Sequence, residues 1–179
     1  GFNTCSSASS GCAAACLHTA GNPIFMAQKN LGRINRTRFY FRDRAKFLTK
    51  LIKEITNHEL YCFKNGFKPV VRLNTTSDIP WEIHKIFELF PRVQFYDYTK
   101  IKKRALKFAA GLLPKNYHLT FSMNEANHSD CEEVLNNGGN IAVVFRDKLP
   151  DTFKGYQVIN GDEHDLRFTD PTNCVVGLK

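Results

Sequence analysis

Apolar positions along the chain change their spacing in a regular order. Between Arg36 and Tyr61 the residues Phe47, Leu48, Leu51, Ile52 and Ile55 recur at the three-and-four spacing of a helix buried along one side. Gly66 stands just beyond, where a chain can turn out of a helix. The segment KPVVRLN then predicts a short strand. In TTSDIPWEIHKIFELFP, Asp78 and Pro80 mark a helix start and Pro91 its stop. The alternation continues with RVQFYDY as strand, KIKKRALKFAAGLLP as helix and NYHLTFS as strand. SDCEEVLNNGG follows as a helix with Ser129 and Glu132 at capping-box spacing, and NIAVVF is a strand again. The strands begin near Val70, Val93, Tyr117 and Ile141, at intervals of 23, 24 and 24 residues, without sequence identity between the units. That is the period of a βα repeat.

VQFYDY and NIAVVF carry apolar residues on both faces, as a parallel sheet covered by helices requires. The expected fold is therefore α/β: a partial or distorted (β/α) barrel-like parallel sheet with helices outside. An open doubly wound sheet shares this local signature. The stretch GYQVINGDEHDLRFTDPTNCVVGLK breaks the rhythm with short β pieces joined by Asn-Gly-Asp and Asp-Pro turns, and is expected to close the domain without a regular helix. One domain over 1–179 is expected, made of a cysteine-rich loop (1–21), βα repeats (36–148) and a closing segment (149–179).

In a parallel βα sheet the loops after the strands' carboxyl ends make the site. Those loops supply the candidate substrate-binding residues: Arg72, Asn74 and Asp78 after the first strand, Asp97 and Lys100 after the second, Ser122 and Asn124 after the third, and Arg146 after the fourth. The tail adds Asp162, Asp165 and Arg167. Ser77 and Asp78 read equally as turn and cap residues, whereas Arg72 and Asp97 each interrupt an apolar strand and need a partner if buried. The acidic tail loop matches no calcium-loop spacing, so its carboxylates read as charge balance.

The opening GFNTCSSASSGCAAACLHTAG places Cys5, Cys12 and Cys16 among small residues that let the backbone wrap closely. No apolar run long enough to span a membrane and no signal-peptide build is present, so a cytoplasmic location without membrane attachment is expected. A reducing compartment turns clustered cysteines toward metal binding or catalysis. Three adjacent thiolates repel one another unless a soft ion or an iron–sulfur cluster binds them, which makes Cys5, Cys12 and Cys16 the candidate metal ligands. Zinc needs a fourth ligand, for which His18, Cys62, Cys131 and Cys174 are the options, whereas a four-iron cluster on three cysteines keeps one iron open. The competing reading makes Cys12 and Cys16 small core residues of a short helix.

The chain carries 25 Lys and Arg against 17 Asp and Glu, a formal net charge of +8 that suits a partner rich in phosphate or carboxylate. Much of it falls in two stretches: Arg33, Arg36, Arg38, Arg42, Arg44, Lys46 and Lys100, Lys102, Lys103, Arg104, Lys107. Each taken alone reads as a solvated helix face, and Phe39, Tyr40 and Phe41 within RTRFYFR read as helix core. No glycine-rich phosphate loop, paired-histidine metal motif or serine elbow appears.

The motifs NTC, ASSGC and AACLHTAG, with RLNTTSD, YDYTK, LTFS, AVVF, NGDEHDLRFTDP and VVGLK, resemble the phage gene product 88 family, which is found in phages and their bacterial hosts and has no assigned reaction. Members of that family carry an apolar, strand-like segment ahead of the cysteines, so this chain, starting at Gly1, is expected to lack an N-terminal strand. More loosely, three cysteines ahead of a partial βα barrel are similar to radical S-adenosylmethionine enzymes. The spacing here is six then three residues, against three then two in that superfamily, and Ala15 stands where an aromatic residue precedes the last cysteine there. The resemblance implies an iron–sulfur enzyme using a 4Fe-4S cluster with S-adenosylmethionine on a phosphate-bearing substrate. The alternative is a non-catalytic nucleic-acid-binding phage accessory protein with structural zinc or no metal.

Overall fold

A computed structural model describes residues 1–16 and 27–179. The described residues form one seven-stranded sheet in the order β1-β2-β3-β4-β7-β6-β5. Its strands are β1 (Val70–Val71), β2 (Gln94–Thr99), β3 (Tyr117–Ser122), β4 (Ile141–Val144), β5 (Thr152–Phe153), β6 (Tyr156–Asn160) and β7 (Val175–Leu178). All neighbours run parallel except the β5–β6 hairpin, where Lys154 and Gly155 both take positive φ and make the tight turn. The helices are α1 (Ser10–Ala14), α2 (Ala27–Arg42), α3 (Arg44–Lys64), α4 (Ile86–Leu89), α5 (Lys102–Ala109) and α6 (His128–Asn136), with 3-10 turns at Trp81–His84 and Arg167–Thr169. This is the expected α/β architecture: a largely parallel sheet with helices, and short strands at the carboxyl end. Three of the four expected strand starts match, and the fourth moves from Val93 to Gln94.

The helices depart from expectation at three points. The single helix expected from Arg36 to Tyr61 is two, because Asp43 leaves helical geometry (φ −140°, ψ 69°) and its carboxylate caps α3 by accepting from the Lys46 amide at 3.2 Å. The helix expected after Asp78 is a 3-10 turn and a single α turn, split at Lys85 (φ 55°), and Asp78 caps neither. The capping box at Ser129 and Glu132 does not form, since α6 starts at His128 and the Asn127 side chain is drawn back to the Asn124 amide at 2.7 Å.

Alternation along the strands feeds two different cores. Phe95, Tyr117, Leu119 and Phe121 pack with Tyr40, Ile55, Trp81 and Phe87 or with Cys131 and Leu135. Ala142, Val176 and Tyr98 pack with Cys174 and Ile159 on the other face. Asp97 and Thr99 share the first face and meet Arg104 of α5, which is 4% exposed. Every nitrogen of that guanidinium donates. Nε and Nη2 grip Glu82 at 2.8 and 2.9 Å, Nη1 reaches Asp78 at 2.6 Å, and Nη2 also reaches the Tyr117 hydroxyl at 2.8 Å. Arg104 is therefore an interior residue and not part of a solvated basic face, and it ties the loop after β1 to the sheet.

Replacing one member of a buried ion network leaves its partners charged and dry, at a cost of about 3–5 kcal/mol. Arg104→Met should thus lower the melting temperature by roughly 10 °C in a thermal melt. A shift no larger than that of an exposed Lys107→Met control would contradict this assignment.

Candidate functional site

The cysteine loop lies on the carboxyl ends of the strands and is fastened there at two places. After β1, the Asp78 amide donates to the Thr4 carbonyl at 2.7 Å, and the Cys5 thiol lies 3.7 Å from the Thr76 carbonyl. After β3, the Glu125 carboxylate accepts from the Ser9 hydroxyl and from the Gly11 amide, both at 2.8 Å. Its own backbone amide, together with the Gly11 and Ser9 donors, holds Glu125 below the ordinary carboxylate range. A Cβ on Gly11 would stand 2.8 Å from the Glu125 Oε1 atom, so a side chain there would push the carboxylate out of its present position. Ser9 also caps α1 by accepting from the Cys12 amide at 3.2 Å, which fixes Cys12 on the first turn.

These ties bring the sulfurs into one neighbourhood. Burial pushes the Cys5 thiol up to about 11, and the charges of Asp78, Cys16 and Cys12 push the same way while Lys100 opposes them. Cys12 and Cys16 are half-buried, α1 has no buried residue, and Cys16 lies beyond its end, so neither cysteine is a core residue of a short helix. Among the described residues, no group of three or more His, Cys, Asp or Glu stands close enough to hold a metal ion. Cys62, Cys131 and Cys174 are buried in packing, with Cys131 aimed at Asn127 and Cys174 at the Pro171 carbonyl. Each is thus engaged in local packing, Cys131 in the turn after β3 that also carries Glu125. His18 lies outside the described residues.

The expected substrate-binding residues separate into three groups. Lys100 and Ser122 stand at the rim beside the cysteine loop, joined by a 2.7 Å contact from Nζ to the hydroxyl, with Asn124 in the next turn and Arg146 exposed after β4. Arg72 pairs with Asp165, which also accepts from Tyr96 and Tyr98 at 3.2 and 3.1 Å, so these residues clasp the closing segment to β1 and β2. Exposed Asp162 accepts from the Lys179 amide at 3.1 Å. Asn74, Asp78, Asp97 and Arg167 lie beneath. Asn74 accepts from Ser77, Ile79 and Trp81 and shapes the loop after β1, and Asp97 accepts from the Asn74 amide at 2.7 Å and from Tyr117 at 3.2 Å. Arg167 is wholly buried, faces Asp170 at 3.4 Å and donates to the His164 carbonyl.

Glu125 follows Asn124 in the loop after β3 and is not among the expected site residues. The signal for it was Gly11, a residue without a side chain inside a cysteine loop, whose meaning depends on a neighbour 114 positions away. A cavity of about 1100 Å3 opens beside the loop, between α2 and the segment after β1, and Cys16 is on its wall.

Burial raises Asp97 to about 7, against donors from Asn74 and Tyr117 and the cation of Arg104 that favour its charged form. A carboxyl raised in the folded state binds its proton more tightly there, so its contribution is complete below about pH 4 and is lost as pH rises through about 7. Urea melts at several pH values should therefore show wild-type stability, relative to Asp97→Asn, declining across that window; a constant difference would refute the assignment. For the loop, Glu125→Ala should speed hydrogen exchange at the Gly11 and Cys12 amides by roughly tenfold or more, the effect of losing a charge-assisted bond. Unchanged exchange there would mean that the carboxylate does not hold the loop.

A family model described as Gene product 88 matches residues 1–179. No curated protein and no solved structure matches the chain. The match runs through the cysteine loop, the strands that carry it and the closing segment alike, and the chain belongs to the Gene product 88 family.

Proposed function

We propose that the cysteine loop binds an iron–sulfur cluster and that the protein is an enzyme of radical S-adenosylmethionine type. One observation carries the reading: Cys5 stands in the field of both Cys12 and Cys16, above the carboxyl ends of the strands and next to the Lys100 cation. The donor set suits the group, since three soft thiols among Ser, Ala and Gly residues have the right chemistry and little bulk between them. Among the described residues no group of three or more His, Cys, Asp or Glu stands within metal-holding distance, so this reading requires the three sulfurs to close in when the cluster binds. A four-iron cluster on three cysteines leaves one iron open for the amino-acid end of S-adenosylmethionine.

The chain's own residues supply the rest. Glu125 and the Asp78 amide position the loop, Lys100 offers a cation to the substrate side, and Ser122, Asn124 and Arg146 give polar groups along the rim. Buried Asn74 and Asp97 set the shape of the loop after β1.

Anaerobic reconstitution with iron and sulfide should yield a brown protein with about four irons per chain. The Cys5→Ser/Cys12→Ser/Cys16→Ser variant should stay colourless, and the Cys62→Ser variant should colour like the wild type. A colourless wild type, or colour that survives the triple substitution, would overturn the reading.

A second reading is a nucleic-acid-binding accessory protein with structural zinc or no metal at the cysteines. The concentration of cations on α2 favours it. Elemental analysis of the anaerobically prepared protein separates the two: iron belongs to the first, zinc or no metal to the second.

A further inference from the structure

Three donors from the sheet converge on one carboxylate of the closing segment, Asp165. The Arg72 guanidinium reaches its Oδ2 at 2.5 Å, the Tyr96 hydroxyl donates to the same oxygen at 3.2 Å, and the Tyr98 hydroxyl donates to Oδ1 at 3.1 Å. Tyr96 and Tyr98 alternate with Asp97 and Thr99 along β2, so the cluster lies on the sheet face turned away from α5. Burial, reinforced by the Asp165 charge, raises both phenols above their ordinary range and keeps them protonated as donors.

The donors are held in place by groups other than Asp165. The Arg72 guanidinium lies over the Tyr98 ring, 4.7 Å from its centroid, and its Nε donates to the Asn74 carbonyl at 3.4 Å. Tyr98 packs against buried Ala142, Cys174 and Val176, and the Tyr96 ring packs on Phe168 at 5.7 Å. The loop that delivers Asp165 is fastened far less. Residues 162–166 are exposed and belong to no helix or strand. Among the described residues, their backbone hydrogen bonds to other backbone or side-chain groups run only within positions 160–169. Apart from Asp165, the polar side-chain tie from this loop to the rest of the described chain is Asp162, which accepts from the Lys179 amide at 3.1 Å. The Arg72–Asp165 pair is itself partly open to water, with side chains 22% and 48% exposed, and such a pair contributes little stability. Directly after the loop, Arg167 Nε and Nη1 and Asp170 Oδ2 are buried without hydrogen-bond partners, so the closed arrangement leaves polar groups of its own unmet. A preorganised set of donors thus holds a weakly tethered carboxylate.

We propose that Arg72, Tyr96 and Tyr98 form a binding site for a ligand carboxylate, and that the loop 162–166 closes this site with Asp165 as an internal stand-in that the ligand displaces. The ligand class follows from the present occupant: two oxygens and a single negative charge, met by one guanidinium and two neutral hydroxyls. A phosphate dianion would bring a further oxygen and a second charge for which these three side chains offer no donor. Asp165 competes with the ligand, so the apparent affinity falls with the fraction of molecules in which the site stands open. The site needs no metal at the cysteines.

The test is an NMR titration of the metal-free protein with sodium acetate, read at the Arg72 Nε–H and at the amides of β1 and β2, against sodium chloride at equal ionic strength. In Asp165→Ala the acetate shifts should saturate, and half-saturation of the wild type should need at least about ten times more acetate. Asp165→Asn, which keeps the shape of the side chain without its charge, should also bind acetate more tightly than the wild type, and it decides the matter if Asp165→Ala does not fold. Asp165→Ala/Arg72→Met should lose the saturable shifts at the β1 and β2 amides while the remaining spectrum stays that of a folded chain. The proposal is overturned by the absence of saturable shifts in both single variants, by equal affinity in wild type and variants, or by shifts that persist without Arg72. Saturation by chloride or inorganic phosphate as readily as by acetate overturns it as well. Because no metal is present in this assay, such a failure would leave the cysteine reading standing, and a failed reconstitution would leave this one standing.

Discussion

A guanidinium shut away from water has to be neutralised, and the way Arg104 is neutralised organises this protein. Its partners, Asp78 and Glu82, both come from the segment between β1 and α4, so satisfying the charge fixes that segment against β2, β3 and α5. Asp78 also accepts from Thr99 and from the Lys100 amide. Its own backbone N–H holds Thr4. One residue thus joins the buried ion network to the cysteine loop, and the position of Cys5 is set by charge balance deeper in the domain.

The other end of the loop depends on the same logic of satisfied polar groups. Short α1 has too few turns to be stable alone, and it is held because Glu125 takes the donors at its start. Lys100 stands between the two attachments, close enough to Cys5 and Glu125 to favour negative charge on both. Cation, thiols and rim hydroxyl therefore share one small region at the tips of β1, β2 and β3. The cavity lined in part by α2 borders the same region through Cys16.

The fold was legible where the information is local. Apolar runs and their βα period placed β2, β3 and β4 to within a residue, because a strand buried on both faces can hardly be composed otherwise. Helix boundaries were less legible, because the same residue serves different ends: Asp43 breaks a helix that periodicity alone would continue, and Asp78 looks like a cap while its carboxylate answers Arg104. For the site, the spacing and the small residues around Cys5, Cys12 and Cys16 were enough to expect sulfurs near a strand rim. The burial of Arg104 and the tie from Gly11 to Glu125 each depend on partners far along the chain. Composition and spacing carry no trace of such pairings.

The central claim is that Cys5, Cys12 and Cys16 face a common point above the strand tips. Mild oxidation of the metal-free protein followed by mass mapping of its disulfides tests this most directly. The account predicts bonds that join Cys5 to Cys12 or Cys16, with Cys62, Cys131 and Cys174 left as thiols. Disulfides that pair Cys5 with a core cysteine, or a loop whose three thiols never pair among themselves, would contradict it.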